Sequence, residues 1–296
     1  MKGDVSWQGL KIAMSIIFNC LTPKYAIQVS DRRLTLPNGN IFDDHSNKAI
    51  FVNGHIVFSY TGLAFIDGRT RNDDWLLDVL ANIYKEHPNG SFTTITEHIA
   101  DRATEAIRVL RISPTFKRLA FVGVGWGKST SEADDRLRPI YFIISNTHGE
   151  NGKWLTEAQP RFSVLPFTPS EEKRVILVAD GQPLSDDLRK RLLRQIDSCV
   201  AKQAGPRSIT RLLIAAARTV AATNPKVGRN LLVNCIPKDS VQPGRLVFMG
   251  KPPTSTVPTF TYVPENTSIP VQYGPHIFGF GVSCSGMVAR QNPKAS

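Results

Sequence analysis

Three side chains near the start of the sequence have chemistry suited to nucleophilic catalysis. Ser15 carries a hydroxyl, Asp31 lies sixteen positions later and Lys48 lies thirty-three positions later. A serine hydroxyl is a weak nucleophile until a neighbouring base takes its proton. The same residues also have a structural interpretation, in which Ser15 is an ordinary strand residue. Asp31 and Lys48 would then form an ion pair between neighbouring strands.

Two predicted strand pairs surround these positions. Alternating apolar residues predict strands over 16–21 and 25–30, separated by a Pro-containing turn, and further strands over 48–53 and 55–60. The second pair turns about Asn53-Gly54, which is the strongest short hairpin signal. Ser15 therefore lies directly before one strand, Asp31 directly after another, and Lys48 begins a third.

The rest of the chain alternates between runs of helices and runs of strands. A capping box of Thr94 and Glu97 predicts the start of one helix, and Ser185 and Ser208 are predicted to open two others. Apolar residues at helical spacing predict another helix over 74–86. Further strands are predicted near 118–124, 139–145, 174–179, 230–236 and 245–249.

Segregated runs of strands and helices predict stacked layers and disfavour a wound β-α-β sheet. We therefore predict an α+β fold in the form of a four-layer αββα sandwich, in which two antiparallel sheets are flanked by helix pairs. We expect a leader or propeptide over 1–14, the αββα domain over 15–250 and an irregular, Pro-rich extension over 251–296.

The order and spacing of these features resemble those of proteasome β subunits within the N-terminal nucleophile (Ntn) hydrolases. The segment Ser15-Ile-Ile-Phe, a hairpin and then Ser30-Asp31-Arg32-Arg33 looks like the start of such a subunit. Further along, Ser59-Tyr60-Thr61-Gly62, Val122-Gly123-Val124-Gly125 and Ala179-Asp180-Gly181 stand where that family has related segments. The resemblance covers roughly residues 15–236.

The resemblance implies a role for each candidate catalytic residue. Ser15 would be the nucleophile, with its own α-amine as the base, and Lys48 would lower the proton affinity of both groups. Asp31 would orient Lys48 and keep it charged. The Gly62 N–H would stabilise the oxyanion, and Asp180 would replace the serine usual in a small loop. In the structural alternative, Gly62 is needed only for a tight turn. The sequence does not show whether Asp180 compensates for the serine that it replaces.

The sequence departs from the family pattern in two further respects. Ser15 follows Met14, so its amine lies in a peptide bond unless the chain is processed. We expect Met14 to be the true translation start, since removal of an initiator Met before a small residue would expose Ser15. Aligned on Gly228, the sequence places Asn224 and Val227 where the family has a supporting Asp and Ser.

Two functions follow from the resemblance. One is a proteasome-like amide or peptide hydrolase, and the alternative is a catalytically inactive scaffold or binding subunit that keeps the sandwich. We expect a peptide or amide substrate in the first case and homo-oligomers in either case. No cofactor is predicted, and neither the cysteines nor the histidines show metal-binding spacing.

Composition narrows the classes of partner and of cellular compartment. The formal net charge of +11 suits an acidic partner, but the basic residues are spread along the chain without interleaved aromatic residues, which disfavours a nucleic-acid-binding module. The apolar stretch near the N-terminus is too short to span a bilayer, so no membrane partner is expected. Four cysteines in 296 residues indicate a reducing, cytoplasmic compartment.

Overall fold

The protein was analysed as a computed structural model. It describes residues 15–35, 40–52, 55–87, 91–128, 137–149, 152–167 and 174–238, together with the backbone of four short strands at 245–249, 260–262, 276–279 and 282–284. The expected leader at 1–14 and the turn at Asn53-Gly54 lie outside the described residues.

The described residues form fifteen strands, four α-helices and one short 3₁₀ turn. The strands are β1 (Ile16–Leu21), β2 (Tyr25–Asp31), β3 (Leu34–Thr35), β4 (Ile41–Asp43), β5 (Ala49–Val52), β6 (Ile56–Gly62), β7 (Leu119–Lys128), β8 (Leu137–Ser145), β9 (Ser163–Phe167), β10 (Ile176–Gly181), β11 (Leu231–Pro237), β12 (Arg245–Met249), β13 (Phe260–Tyr262), β14 (His276–Gly279) and β15 (Val282–Cys284). The helices are α1 (Asn72–Glu86), α2 (Phe92–Arg108), α3 (Asp186–Ala201) and α4 (Pro206–Thr223), and the 3₁₀ turn is Pro114–Phe116.

The strands form two large sheets and one small one. The first sheet has the order β10-β1-β2-β11-β12, the second has the order β13-β15-β14-β5-β6-β7-β8-β9, and β3 pairs with β4. Every described pair is antiparallel except β14 with β5. The predicted α+β class with antiparallel sheets is therefore confirmed.

Three apolar clusters form the core. One contains inward-facing residues of the second sheet and of α1 and α2, such as Phe58 and Ile99. Another contains residues of the first sheet and of α3 and α4, such as Phe18 and Ile196. The third contains residues of both large sheets, including Ile17 and Val122. Because side chains alternate along a strand, each sheet contributes one face to a helix cluster and the other to the shared cluster.

Two helix starts differ from the sequence predictions. The α2 helix begins at Phe92, where the Ser91 hydroxyl accepts a hydrogen bond from the Thr94 N–H, so Thr94 lies within the first turn. The α4 helix begins at Pro206 rather than at Ser208. Proline is favoured in the first turn of a helix because its missing N–H would have no intrahelical partner there.

An irregular extension is expected beyond residue 250, and the described residues there include three short strands. Of these, β14 pairs in parallel with β5, so that Ile277 lies opposite Phe51. These strands have only three or four residues each. Segments so short do not show a readable alternation of apolar and polar residues.

Because the two helix clusters are separate, we predict that substitutions in them have additive effects on the unfolding free energy. Ile99 in α2 and Ile196 in α3 are both fully buried, but in different clusters. Replacing each by Val should lower the unfolding free energy by about 0.5–1.5 kcal/mol, because one buried methylene is lost. In urea unfolding, the double variant should show the sum of the two losses within about 0.5 kcal/mol.

A surface variant is the control for this comparison. Val109 is 67% exposed, so Val109→Ala should change the unfolding free energy by no more than about 0.5 kcal/mol. A coupling between the two core substitutions above about 1 kcal/mol would show that the clusters share contacts and would contradict this description.

Candidate active site

Ser15, Asp31 and Lys48 meet where the two large sheets face each other. Ser15 directly precedes β1, Asp31 ends β2 in the same sheet, and Lys48 directly precedes β5 in the other sheet. The Lys48 Nζ donates a hydrogen bond of 2.6 Å to the Ser15 Oγ and lies 3.4 Å from the Asp31 Oδ1. The ion pair predicted between Asp31 and Lys48 is therefore present and contacts Ser15 as well, but it joins the two large sheets instead of neighbouring strands.

All three side chains are withdrawn from water. Relative exposure is 8% for Ser15, 0% for Asp31 and 1% for Lys48. Burial lowers the pKa of the Lys48 ammonium, and the Asp31 carboxylate opposes this shift by stabilising the cation. A buried cation therefore has an anionic partner and contacts a hydroxyl that is itself almost inaccessible to solvent.

Backbone amides fix the position of the Asp31 carboxylate. Its Oδ1 accepts from the Ile16 N–H at 3.0 Å. Its Oδ2 accepts from the Gly228 N–H at 3.0 Å and from the Arg33 N–H at 3.2 Å. These bonds come from three separate stretches of chain, so the carboxylate cannot shift without disrupting the start of β1 or the loop before β11.

Gly62 and Gly181 both have backbone conformations that favour glycine. Gly62 ends β6 with φ of +103°, and a Cβ there would lie 2.2 Å from the Arg118 carbonyl oxygen. Gly181 has φ of +85°, and a Cβ there would lie 2.0 Å from the Ser15 carbonyl oxygen. Gly62 is thus required by its turn. Its role as an oxyanion donor remains a prediction.

The end of β6 approaches Ser15 through Gly181. A Cβ on Gly181 would also lie 2.7 Å from the Thr61 Oγ1, and Thr61 is the residue before Gly62. The backbone of the next residue, Gln182, donates a hydrogen bond of 2.8 Å to the Ser15 carbonyl oxygen. Close packing of Gly181 therefore holds the Ser15 backbone against the second sheet.

Asp180 lies beside this site, with its side chain in a different hydrogen-bond network. Its carboxyl accepts from the Asn19 Nδ2 at 2.9 Å and from the Tyr141 hydroxyl at 3.1 Å. Among the described residues it makes no hydrogen bond with Ser15 or Lys48, so the structure does not bring it to the nucleophile. Strand alternation explains this placement, since Ala179 faces the α3 and α4 side and Asp180 faces the second sheet.

The network around Asp180 crosses the interior between the sheets. The Asn19 Oδ1 accepts from the Gln28 Nε2 at 2.9 Å, and the Gln28 Oε1 accepts from the Ser59 hydroxyl at 2.5 Å. Burial raises the pKa of the Asp180 carboxyl to about 7, although the hydroxyl of Tyr141 and the amide of Asn19 oppose the shift. The carboxyl is consequently close to half protonated at neutral pH.

Gln182 is a neighbour of Ser15 that the sequence analysis did not predict, and its side chain contacts Asn224. The Asn224 Nδ2 donates a hydrogen bond of 2.8 Å to the Gln182 Oε1, while the Gln182 N–H contacts Ser15. The alignment on Gly228 was the available signal for Asn224, and the Gly228 N–H does reach Asp31. Val227, the other aligned position, is buried in the helix cluster of the first sheet.

The described residues give little support for a cysteine nucleophile or a metal site. Burial raises the pKa of the Cys20 thiol to about 12, so this cysteine is an inert core residue. No group of three or more His, Cys, Asp or Glu side chains in the described ranges is placed to hold a metal ion. Within those same ranges, no helix combines the length and apolar character needed to cross a bilayer.

Comparison with known proteins assigns no family. None of the family models searched matches the chain, and no curated protein matches it significantly. The site must therefore be interpreted from its own geometry.

The buried pair predicts a specific pattern in a double-mutant cycle. Asp31→Asn should lower the unfolding free energy by about 3–5 kcal/mol, because it leaves the Lys48 cation buried without an anionic partner. Adding Lys48→Met should recover part of that loss, since the unpaired charge is then removed. Chemical denaturation of the wild type, both single variants and the double variant measures the coupling. Strictly additive losses would contradict a direct interaction.

The Asp180 carboxyl predicts a pH dependence of stability. Its pKa is about 7 in the folded protein and 3.8 in its ordinary, unfolded state. Ionisation of Asp180 therefore costs more free energy in the folded state than in the unfolded state. The contribution of the protonated carboxyl to stability is complete below about pH 4 and is lost as the pH rises to 7. Relative to Asp180→Asn, the wild type should lose about 3 kcal/mol of unfolding free energy over this interval.

Denaturation at half-unit pH steps measures this difference, and subtracting the Asn variant removes the contribution of other titrating groups. Tyr141→Phe is a second variant that removes one donor and should raise the Asp180 pKa further. Parallel stability curves for wild type and Asp180→Asn between pH 4 and 7 would show that the carboxyl is not perturbed.

Proposed function

We propose that the protein is an amide or peptide hydrolase of the Ntn type, similar to proteasome β subunits, in which Ser15 is the nucleophile once its α-amine is free. The observation that carries this proposal is the position of the Lys48 Nζ, 2.6 Å from the Ser15 Oγ and 3.4 Å from the Asp31 Oδ1. Lys48 contacts both the Ser15 hydroxyl and the Asp31 carboxylate, and a solely structural ion pair would not require the contact with the hydroxyl.

The packing supports the fold that this proposal needs. The three apolar clusters lie between α1–α2 and the second sheet, between the two sheets, and between the first sheet and α3–α4. We interpret this order as a four-layer αββα sandwich. In such a sandwich the site lies at one end of the space between the sheets, where a substrate can approach the start of β1.

In the proposed reaction, the α-amine of Ser15 carries the proton between the Ser15 hydroxyl and the leaving group. The free α-amine of Ser15 takes the hydroxyl proton while the Oγ attacks the substrate carbonyl, and the amine then protonates the leaving nitrogen. Water next releases the acyl group from the Ser15 ester. An α-amine has a pKa of about 7.7–8.0, and the adjacent Lys48 cation lowers it, so the amine is neutral and basic near pH 7.

The oxyanion is assigned to the backbone at the end of β6. Thr61 and Gly181 are in close approach beside the Ser15 carbonyl, which brings the neighbouring Gly62 to the edge of the site. We propose the Gly62 N–H as the donor to the developing oxyanion, a contact typically worth about 3 kcal/mol of transition-state stabilisation. We assign Asp180 a structural part, because its hydrogen bonds lie within the inter-sheet network.

The neutral pair beside Ser15 favours a second candidate function. Gln182 and Asn224 form an amide–amide hydrogen bond, and the alignment on Gly228 places Asn224 and Val227 where the related hydrolases have a carboxylate and a hydroxyl. Two neutral amides orient an amine less strongly than a charged partner does. A non-catalytic scaffold or binding subunit that keeps the sandwich is therefore the alternative, and we propose self-association for either form.

The described cysteines agree with a reducing compartment. Cys20, Cys199 and Cys235 are free thiols. Disulfides are rare in the reducing cytoplasm, so we propose a cytoplasmic location, with peptides or small amides as the substrate class.

The proposal is tested with chains that differ only at the N-terminus. Cleavable fusions would release one chain that begins at Ser15, one that begins at Met14, and one in which Ser15→Ala is the first residue. Hydrolysis is measured on a panel of fluorogenic peptide amides. The Ser15 chain should be active, and the Ala chain should be slower by at least about 10³-fold because the nucleophile is missing.

The Met14 chain is the matched control, since it keeps Ser15 but places its amine in a peptide bond. It should be as inactive as the Ala chain unless it removes Met14, which intact mass would reveal. Equal activity of uncleaved Met14 and Ser15 chains would exclude the amine as base. Absence of activity in every chain would favour the scaffold function.

A further inference from the structure

A second concave site lies at the opposite end of β1 from Ser15. The turn between β1 and β2 there faces the connection between α3 and α4, and the two enclose a pocket of about 240 Å³. Seven residues separate Ser15 from Thr22 in the pocket wall. At about 3.3 Å per strand residue, this places the pocket roughly 23 Å from the candidate nucleophile.

Hydrogen bonds hold one wall of the pocket in place. The Thr22 Oγ1 accepts from the Tyr25 N–H at 2.9 Å and donates to the Tyr25 carbonyl at 3.0 Å. The Lys238 N–H donates to the Lys24 carbonyl at 2.8 Å, which ties the turn to the end of β11. This wall is therefore formed without a ligand, as is usual for small-molecule sites.

Hydrogen bonds also fix the opposite wall, where α3 ends. The Gln203 N–H donates to the Val200 carbonyl at 3.0 Å, and the Ala204 N–H donates to the Cys199 carbonyl at 2.8 Å. Gln203 adopts a left-handed backbone conformation with φ of +54°. The chain thus reverses within the pocket wall and begins α4 at Pro206.

The floor and rim of the pocket differ in chemistry. Val200, Ala204 and Ile209 provide apolar side chains, and Ile209 is 1% exposed. The rim carries two cations, Lys24 and Arg174, and none of the described residues that line the pocket is acidic. Neither cation forms a salt bridge with a described residue.

The start of α4 adds to the positive potential. This helix has eighteen residues, no acidic residue in its first turn and no side-chain hydrogen bond at its N-cap, Gly205. The N-terminus of such a helix carries a partial positive charge. Two cations above an apolar floor favour a compact anion that carries an apolar group, and Gly205, the N-cap of α4, directly follows Ala204 of the pocket wall.

We propose that this pocket binds a carboxylate attached to a branched aliphatic group, with the carboxylate between Lys24 and Arg174 and the apolar part against Val200 and Ile209. A volume of about 240 Å³ admits a group of the size of a leucine side chain with its carboxylate. A small free acid and the C-terminal residue of a peptide share this chemistry. The site does not depend on catalysis at Ser15.

The test is a titration of the isotope-labelled full chain, followed by NMR at the Ala204 and Ile209 amides. The probes are 4-methylpentanoate and its neutral amide, together with N-acetyl-glycyl-leucine and the corresponding amide. Both carboxylates should shift these resonances, and each amide should bind at least about tenfold more weakly, because the charge is absent. Tighter binding of the dipeptide would identify a peptide C-terminus as the ligand, and equal binding would identify the small acid.

Charge-neutral variants complete the test. The double variant Lys24→Gln/Arg174→Gln should weaken carboxylate binding about tenfold, and raised salt should weaken wild-type binding as well. Lys190→Gln is the matched control, because it removes one exposed positive charge about 15 Å along α3 from Val200. Equal binding of acid and amide, no effect of the double variant, or no shift at about 20 mM probe would overturn the proposal.

Discussion

Lys48 enters the candidate site from the second sheet, and its ammonium group contacts two residues of the first. Transferring an ammonium from water to a protein interior costs several kcal/mol unless a charged partner and further hydrogen bonds compensate. Asp31 is that partner, and three backbone N–H groups hold its carboxylate in place. The position of the start of β1 relative to β5 therefore depends on this one contact, and so does the position of the Ser15 hydroxyl.

The surrounding structure has the features that such a buried pair requires. Apolar side chains from both sheets exclude water from the space between them, which strengthens the attraction between the charges. Beside the pair, the side chains of Ser59, Gln28, Asn19 and Asp180 form a continuous hydrogen-bond chain from one sheet to the other. The tight packing of Gly181 against Ser15 completes the arrangement. Polar and apolar contacts thus specify the same relative placement of the two sheets.

The resemblance to proteasome β subunits, carried by the spacing of Ser15, Asp31 and Lys48, was sufficient to predict the contact between Asp31 and Lys48. The periodicity of apolar residues also predicted most of the strands and helices, because these elements are long enough to show it. It did not reveal that Asp180 bonds to Asn19 and Tyr141 and makes no described hydrogen bond with Ser15, since that depends on the register of β10 against β1. The contact between Gln182 and Asn224 joins residues forty-two positions apart, and no local pattern encodes it. The described strands beyond residue 250 were missed because each has at most four residues.

The proposed hydrolase function requires that Ser15 react covalently with its substrate. The most direct measurement exposes the chain that begins at Ser15 to a β-lactone, digests it and locates the added mass on its peptides. The account predicts one adduct, on Ser15, and its loss when the α-amine is acetylated beforehand, because the hydroxyl then lacks its base. An unmodified Ser15, or a label that survives Ser15→Ala with undiminished yield, would contradict the assignment of Ser15 as the nucleophile.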